Sequence, residues 1–134
     1  EADPRGIEAD GNLDGIYPDH LRQSDFAVEN MTIVNNAANT TDNVDRMQDV
    51  IKIRRGAKAT ITNALVKGSG GTIDLIDMND SKGAGNAASS ISITHTLNFK
   101  NKLNGTLNTF TEPTTNTGAD ASLFTWSGYN FSSL

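Results

Sequence analysis

Three stretches of this 134-residue chain resemble one another at a nearly constant spacing. Each stretch alternates apolar with polar residues, and the apolar residues that align are Val28, Ile61 and Ile93. They lie 33 and 32 residues apart (28 to 61, 61 to 93). A repeat of this length predicts a solenoid, in which the same inward positions are buried in one coil after another.

A second series of short alternating runs lies between these stretches. It predicts a second inward column of Ile7, Ile51 and Ile73, while Ile33 and Val66 extend the first series. Two types of strand that alternate along a chain predict two sheets of stacked parallel strands. The spacing from 51 to 73, 22 residues, predicts a coil without insertions, and the spacing from 7 to 51, 44 residues, predicts inserted loops.

Polar residues follow the first inward residue of each long stretch. Asn30, Asn63 and His95 are predicted to occupy equivalent positions at a bend of each coil. Asn side chains favour such bends because they bond to nearby backbone groups. We interpret this series as structural stacking.

Composition favours strands and turns over helices, because Gly, Asn, Thr and Ser are abundant. We predict an all-β solenoid of a few coils over residues 1–109, with loop insertions. Residues 110–134 are predicted to form a C-terminal tail that caps the last coil. This cap would use the aromatic residues Phe124, Trp126, Tyr129 and Phe131.

Charge and cysteine content exclude several classes of protein. The net charge is -5 and the pI is about 4.8, which argues against nucleic-acid binding, since that requires clustered Lys and Arg. The absence of Cys excludes disulfides and thiol catalysis. No apolar run is long enough to span a membrane as a helix. The chain begins at Glu1, at the approach to a strand, so we expect a processed product or a segment of a longer protein.

Four segments resemble known proteins. Residues 6–10 precede an Asn/Asp-rich loop and a Phe-x-Val-x-Asn-Met-Thr-Ile-Val strand over 26–34, and residues 51–56 form a strand and an Arg-Gly turn before the strand at 59–66. This order is similar to that of right-handed parallel β-helix proteins of the secreted and outer-membrane sets of Bacteroidetes. The resemblance implies the C-terminal portion of a secreted or cell-surface, outer-membrane-associated β-helix. It implies no catalytic residues.

A candidate calcium loop follows the first strand. Asp10, Asn12 and Asp14 have the D-x-N-x-D-G spacing that places oxygen ligands at alternate positions before a Gly turn. The Glu that completes an EF-hand loop is missing, so Asp19, Asp25 or backbone oxygens would complete the shell. The alternative is a simple turn that leaves the strand.

A candidate catalytic group lies on the predicted outer face. Lys52, Arg54, Asp74 and Asp77 would resemble the calcium-and-arginine site of a β-helical polysaccharide lyase, in which carboxylates hold the ion and a base removes a proton. The alternative is a set of ordinary cross-strand pairs, each worth about 0.2 to 1 kcal/mol. A glycosidase would need a pair of catalytic carboxylates, and no pair of carboxylates in this sequence is distinguished by the residues around it.

Two functions remain from the sequence. The first is a non-catalytic secreted or cell-surface module with a structural, adhesive, glycan-binding or protein-binding role. Its N-terminal edge would be covered by upstream coils, other copies or an outer-membrane or extracellular partner. The second is a polysaccharide lyase-like enzyme acting on an acidic polysaccharide, with calcium as its candidate cofactor.

Overall fold

The computed structural model describes residues 5–11, 23–35, 47–68, 72–79, 81, 83–95 and 99–111. These residues form nine strands and no helix, so the predicted all-β class is confirmed for the described part of the chain. The strands are β1 (Ile7–Asp10), β2 (Asp25–Glu29), β3 (Thr32–Asn35), β4 (Asp49–Arg54), β5 (Lys58–Gly68), β6 (Thr72–Asp77), β7 (Ser90–His95), β8 (Phe99–Asn104) and β9 (Thr109–Thr111).

The strands alternate between two sheets. The first sheet has the order β1-β4-β6-β8, and the second has the order β2-β5-β7-β9, with β3 also paired to β5. Every pairing between these strands is parallel. We call each strand of the first sheet with the second-sheet strands that follow it a coil, so coil 1 is β1–β3, coil 2 is β4–β5, coil 3 is β6–β7 and coil 4 is β8–β9. This topology fits the predicted solenoid.

The core lies between the sheets and is densest in coils 2 and 3. Alternation in β4 and β5 directs Ile51, Ile53 and Ile61 inward, where each is at most 1% exposed. Ile76 and Ile91 stack on Ile51 and Ile61 and are equally buried. A buried aliphatic column of this kind stabilises the stack through the apolar area removed from water.

Two predicted columns were wrong in their third member. Ile91, not Ile93, lies opposite Ile61, and Ile93 lies opposite Ala64. In the first sheet Ile76, not Ile73, lies opposite Ile51, so this coil contains 25 residues where 22 were predicted. The first error is a shift of two residues, which keeps the same face inward and which a period of two therefore does not exclude. The second is a shift of three residues, and it arose because the buried pairs Val50 with Ile51 and Leu75 with Ile76 interrupt the alternation.

Asn30 and Asn63 do occupy equivalent positions, as predicted. Both have left-handed backbones, with φ of 56° and 57°, and Asn63 Nδ2 donates to Asn30 Oδ1 over 2.8 Å. His95 does not belong to this series, since it pairs in register with Val66. The register shift between Ile61 and Ala64 explains this difference, because β7 crosses the same distance with one residue fewer and lacks the bend.

Replacing Asn63 with Ala is expected to cost about 1–2 kcal/mol of unfolding free energy, since Ala tolerates the left-handed conformation poorly. Replacing it with Gly should cost less, because Gly keeps the backbone and loses only the side-chain bond. Chemical denaturation of both variants measures the difference. The exposed neighbour Thr62→Ala is the control, with a change within about 0.5 kcal/mol. Equal losses for the Ala and Gly variants would contradict this account of the bend.

One prediction concerns residues beyond these strands. The predicted aromatic cap lies outside the described residues, which end at Thr111 in β9, so the cap stays a prediction. A search of the described residues found no helix long and apolar enough to cross a membrane.

Candidate functional site

The outer side of the first sheet carries two rows of polar side chains that cross all four coils. In β4 and β6 two consecutive apolar residues are fully buried between polar residues, Val50 with Ile51 and Leu75 with Ile76. The polar residues on either side of such a pair approach each other, since Lys52 Nζ lies 3.4 Å from Asp49 Oδ2. The first row is Arg5, Asp49, Asp74 and Asn101, and the second row is Glu8, Lys52, Asp77 and Asn104.

Gly6 is the coil 1 counterpart of Val50, because it lies between Arg5 and Ile7 as Val50 lies between Asp49 and Ile51. A Cβ atom at Gly6 would lie 2.6 Å from Ile33 Cδ1 and 3.0 Å from the Val50 carbonyl oxygen. Only glycine therefore fits at this corner.

Lys52 is the centre of the rows. Its ammonium group donates to Asp77 Oδ2 over 2.7 Å and to Asp49 Oδ2 over 3.4 Å. Arg5 donates to Asp49 over 3.3 Å and to Glu8 over 3.1 Å. The side chains of Lys52, Asp49 and Asp77 are only 12%, 7% and 8% exposed, so these pairs are largely withdrawn from water.

Asparagine amides continue the rows into coil 4. Asn101 Nδ2 donates to Asp74 Oδ1 over 2.7 Å, and Asn104 Nδ2 donates to Asp77 Oδ1 over 3.1 Å. Asp77 Oδ1 also accepts the backbone N–H of Asn79 over 2.9 Å. The buried carboxylates of coil 3 are thus bonded by amides on one side, and Asp77 is bonded by a cation on the other.

Arg54 belongs to a separate group at the end of β4. Its guanidinium group donates to both carboxylate oxygens of Asp10 and lies 2.6 Å from Glu8 Oε1. Arg55 Nε is 3.9 Å from Asp10. Planar guanidinium groups favour such two-point contacts with carboxylates. Coils 1 and 2 are therefore joined by ion pairs along this strand.

Three carboxylates of the rows satisfy the spacing of a metal site. Asp49, Asp74 and Asp77 each offer an oxygen atom, and these atoms lie within 4.8 Å of one another. Lys52 already brings a positive charge to two of these carboxylates, as Arg5 does to Asp49. The ammonium group of Lys52 therefore supplies the positive charge that a bound metal ion would otherwise bring to these carboxylates.

The pKa values of two groups are shifted by these contacts. Burial raises the pKa of Asp49, and the charge of Asp77 adds to this effect, while Lys52 and Arg5 oppose it. For Lys52, burial alone would lower the pKa, but the hydrogen bond to Asp77 and the charges of Asp49 and Asp77 outweigh it and raise the pKa. Lys52 is therefore held protonated, whereas a general base must give up its proton before it reacts.

The structure brings together some of the predicted catalytic residues. Lys52 and Asp77 are in contact and Asp74 is one row away, whereas Arg54 lies with Glu8 and Asp10. Sequence reasoning missed Arg5, Asp49, Asn101 and Asn104. A signal was present, because the order of a carboxylate, two apolar residues and a charged residue occurs at 49–52 and again at 74–77. Aligning these two segments gives the observed register.

The predicted calcium ligands are only partly described. Asp10 pairs with Arg54, and Asp25 pairs with Lys58 over 3.2 Å. Asn12, Asp14 and Asp19 lie outside the described residues, so the calcium loop stays a prediction.

The comparisons with known proteins add no assignment. Searches with this chain found no matching family model, curated protein or solved structure.

Replacing Asp49 with Asn tests the burial of this carboxylate. Its folded-state pKa lies above the ordinary value of 3.8, so the stability that its protonated form contributes is lost as pH rises from about 3.8 through the folded pKa. Asn carries no charge at any pH. We expect the stability of Asp49→Asn relative to the wild type to increase over this interval, as measured by denaturation at several pH values.

The exposed carboxylate of Asp25, which is 62% exposed in its pair with Lys58, provides the control. Asp25→Asn should change stability little, because exposed pairs contribute at most about 1 kcal/mol. A relative stability of Asp49→Asn that falls with rising pH would contradict the role of burial.

Proposed function

We propose that this chain is a non-catalytic, right-handed parallel β-helix module of a secreted or cell-surface protein, with a structural or binding role within a larger chain or assembly. The observation that carries this proposal is that the carboxylates of the polar rows are bonded to cations and amides of adjacent coils. Such side chains hold coils together. They do not form the set of poised acid, base and nucleophile that a reaction requires.

Handedness follows from a general rule. A connection between parallel strands of one sheet is right-handed in nearly all proteins, because right-twisted strands pack back on the sheet in that sense. The parallel pairings of β1, β4, β6 and β8 make this rule applicable here. The predicted resemblance to right-handed β-helices agrees with it.

The role in an assembly is supported by coil 1. Among the described strands, β1 pairs only with β4, and β2 and β3 pair only with β5. Ile7, Phe26 and Val28 are half-buried, whereas Ile51, Ala59 and Ile61, their neighbours in coil 2, are at most 1% exposed. An edge that combines backbone groups with apolar side chains favours pairing with a further strand.

The alternative is a polysaccharide lyase-like enzyme. One observation favours it, the approach of three carboxylates to within 4.8 Å beside Lys52. The protonated state of Lys52 opposes it, since the amine would have to act as the base.

A cleavage assay separates the two functions. The chain is incubated with uronate-containing polysaccharides in the presence of calcium or of a chelator, and unsaturated products are followed by ultraviolet absorbance. We expect no product under either condition. Chelator-sensitive product that disappears in a folded Asp77→Asn variant, but persists in Asp25→Asn, would overturn the non-catalytic assignment.

A further inference from the structure

The charge of the strands alternates from coil to coil. The strands of coil 1 contain four carboxylates and no basic residue, and those of coil 2 contain four basic residues and one carboxylate. The strands of coil 3 contain two carboxylates, and those of coil 4 contain two lysines. The order is therefore acidic, basic, acidic and basic.

Ion pairs between the first three coils follow this alternation. Coils 1 and 2 are joined by Arg54 with Glu8 and Asp10, and by Lys58 with Asp25. Coils 2 and 3 are joined by Lys52 with Asp77. Register alone brings these residues together, because parallel strands in register place equivalent side chains beside each other. A coil of one charge thus favours a neighbour of the opposite charge.

Among the described strands, those of coil 1 form the first edge of this series, and that edge is acidic. Its outward residues Glu8 and Asp10 are 34% and 29% exposed, Asp25 is 62% exposed, and Glu29 is also exposed. Arg5, which precedes β1, bonds Glu8 and Asp49. The inward side chains of β1 and β2, which are Ile7, Ala9, Phe26 and Val28, are half-buried. The edge therefore combines apolar surface with negative charge, which favours an occupant that is apolar and basic in the same alternation.

The register of the strands distinguishes two candidate occupants of this edge, which are coil 4 of a second copy and a segment that resembles coil 2. If coil 4 of a second copy lay on this edge, its Asn101 would continue the row of Arg5 and its Asn104 the row of Glu8. Both residues are uncharged, and β9 carries no charge. In coil 2, by contrast, Lys52 lies beside Glu8, Arg54 beside Asp10 and Lys58 beside Asp25. The pattern of coil 2 fits the carboxylates of coil 1, and the pattern of coil 4 does not.

We propose that the edge of β1 and β2 binds a basic β-coil. This occupant is a protein segment with the chemistry of coil 2, which adds parallel strands to both sheets, stacks apolar residues on Ile7, Ala9, Phe26 and Val28, and places Lys or Arg beside the outward carboxylates of β1 and β2. The inference rests on the proposed function, since it names the kind of partner that the module takes in an assembly.

A tethered coil tests this inference. The sequence of residues 49–68 is added before Glu1 through a flexible Gly/Ser linker, which raises its effective concentration and offsets the entropic cost of ordering a free peptide. A matched control carries Glu at the copied positions of Lys52, Arg54 and Lys58. Hydrogen exchange is measured for the amides of β1 and β2 in both proteins and in the unmodified chain.

The basic coil is expected to slow exchange of the edge amides by about tenfold or more, and the Glu control should slow it much less. High salt should reduce the difference, because exposed charges are screened. In a chain with Asp25→Lys and Glu29→Lys, the preference for the basic coil should decrease or reverse. Equal protection by both coils, or by neither, would overturn the inference.

Self-association of the unmodified chain through coils 1 and 4 would also overturn it, since a second copy would then occupy the edge. These outcomes are separate from the proposed function. A module that rejects the basic coil can still be non-catalytic, which the cleavage assay measures, and can still belong to a larger assembly of different chemistry.

Discussion

Replacing Ile61 with Asp is expected to abolish cooperative folding of the chain. Ile61 is 1% exposed and lies between Val28 and Ile91 in the second sheet, so an Asp side chain would be enclosed on both sides by aliphatic groups. A buried and unpaired carboxylate costs several kcal/mol beyond the lost apolar contact. Total stabilities of domains are about 5–15 kcal/mol, so one such change can unfold a chain of this size.

Circular dichroism during thermal unfolding measures this effect. The control is Thr60→Asp, which introduces the same charge at the adjacent, exposed position of β5. We expect the Thr60 variant to keep a cooperative transition and the Ile61 variant to lose it. If both variants unfold alike, or neither does, the inward and outward faces of β5 are not those described here.

Replacing Lys52 with Met is expected to lower the unfolding free energy by roughly 3–5 kcal/mol. Met keeps most of the side-chain length, but it leaves Asp49 and Asp77 without the ammonium group that bonds both of them. Removing one partner of a buried ion pair is costly because the remaining charge stays out of water. The loss should shrink at acidic pH, where protonated carboxylates need no counter-ion.

Lys58→Met is the matched control for this change. Lys58 also pairs with a carboxylate of a neighbouring coil, but its side chain and that of Asp25 are 37% and 62% exposed. The expected cost is at most about 1 kcal/mol, because exposed pairs are weakened by water and salt. Similar losses for the two variants in chemical denaturation would mean that the rows do not stabilise the stack.

The sequence predicted the architecture of the described residues more closely than their register. Alternating apolar residues predicted the two series of parallel strands. Three predicted pairs between coils 1 and 2 were correct: Val28 with Ile61, Ile33 with Val66, and Ile7 with Ile51. The predicted pairs between coils 2 and 3 were wrong because β7 lacks the left-handed Asn bend of β5, and because β4 and β6 each bury two consecutive apolar residues. These local breaks in the period of two change the register without changing the composition.

The candidate site was predicted only in part for the same reason. Lys52 and Asp77 were assigned to one outer face and do bond each other. Asp49 was not included in the predicted group, so its contact with Lys52 was missed. The pKa directions also depend on burial and on the positions of neighbouring charges, which no spacing along the chain reveals. The structure was therefore needed to show that Lys52 is held protonated.

The mass and stoichiometry of the native particle that contains this chain test the proposed role most directly. Native mass spectrometry, with and without chelation of calcium, compares the particle with the 14.3 kDa of the chain alone. We expect a larger particle, in which a further polypeptide segment covers the edge of β1 and β2, and in which chelation does not release it. A stable particle of one chain with no other polypeptide would contradict the assignment of this module to an assembly.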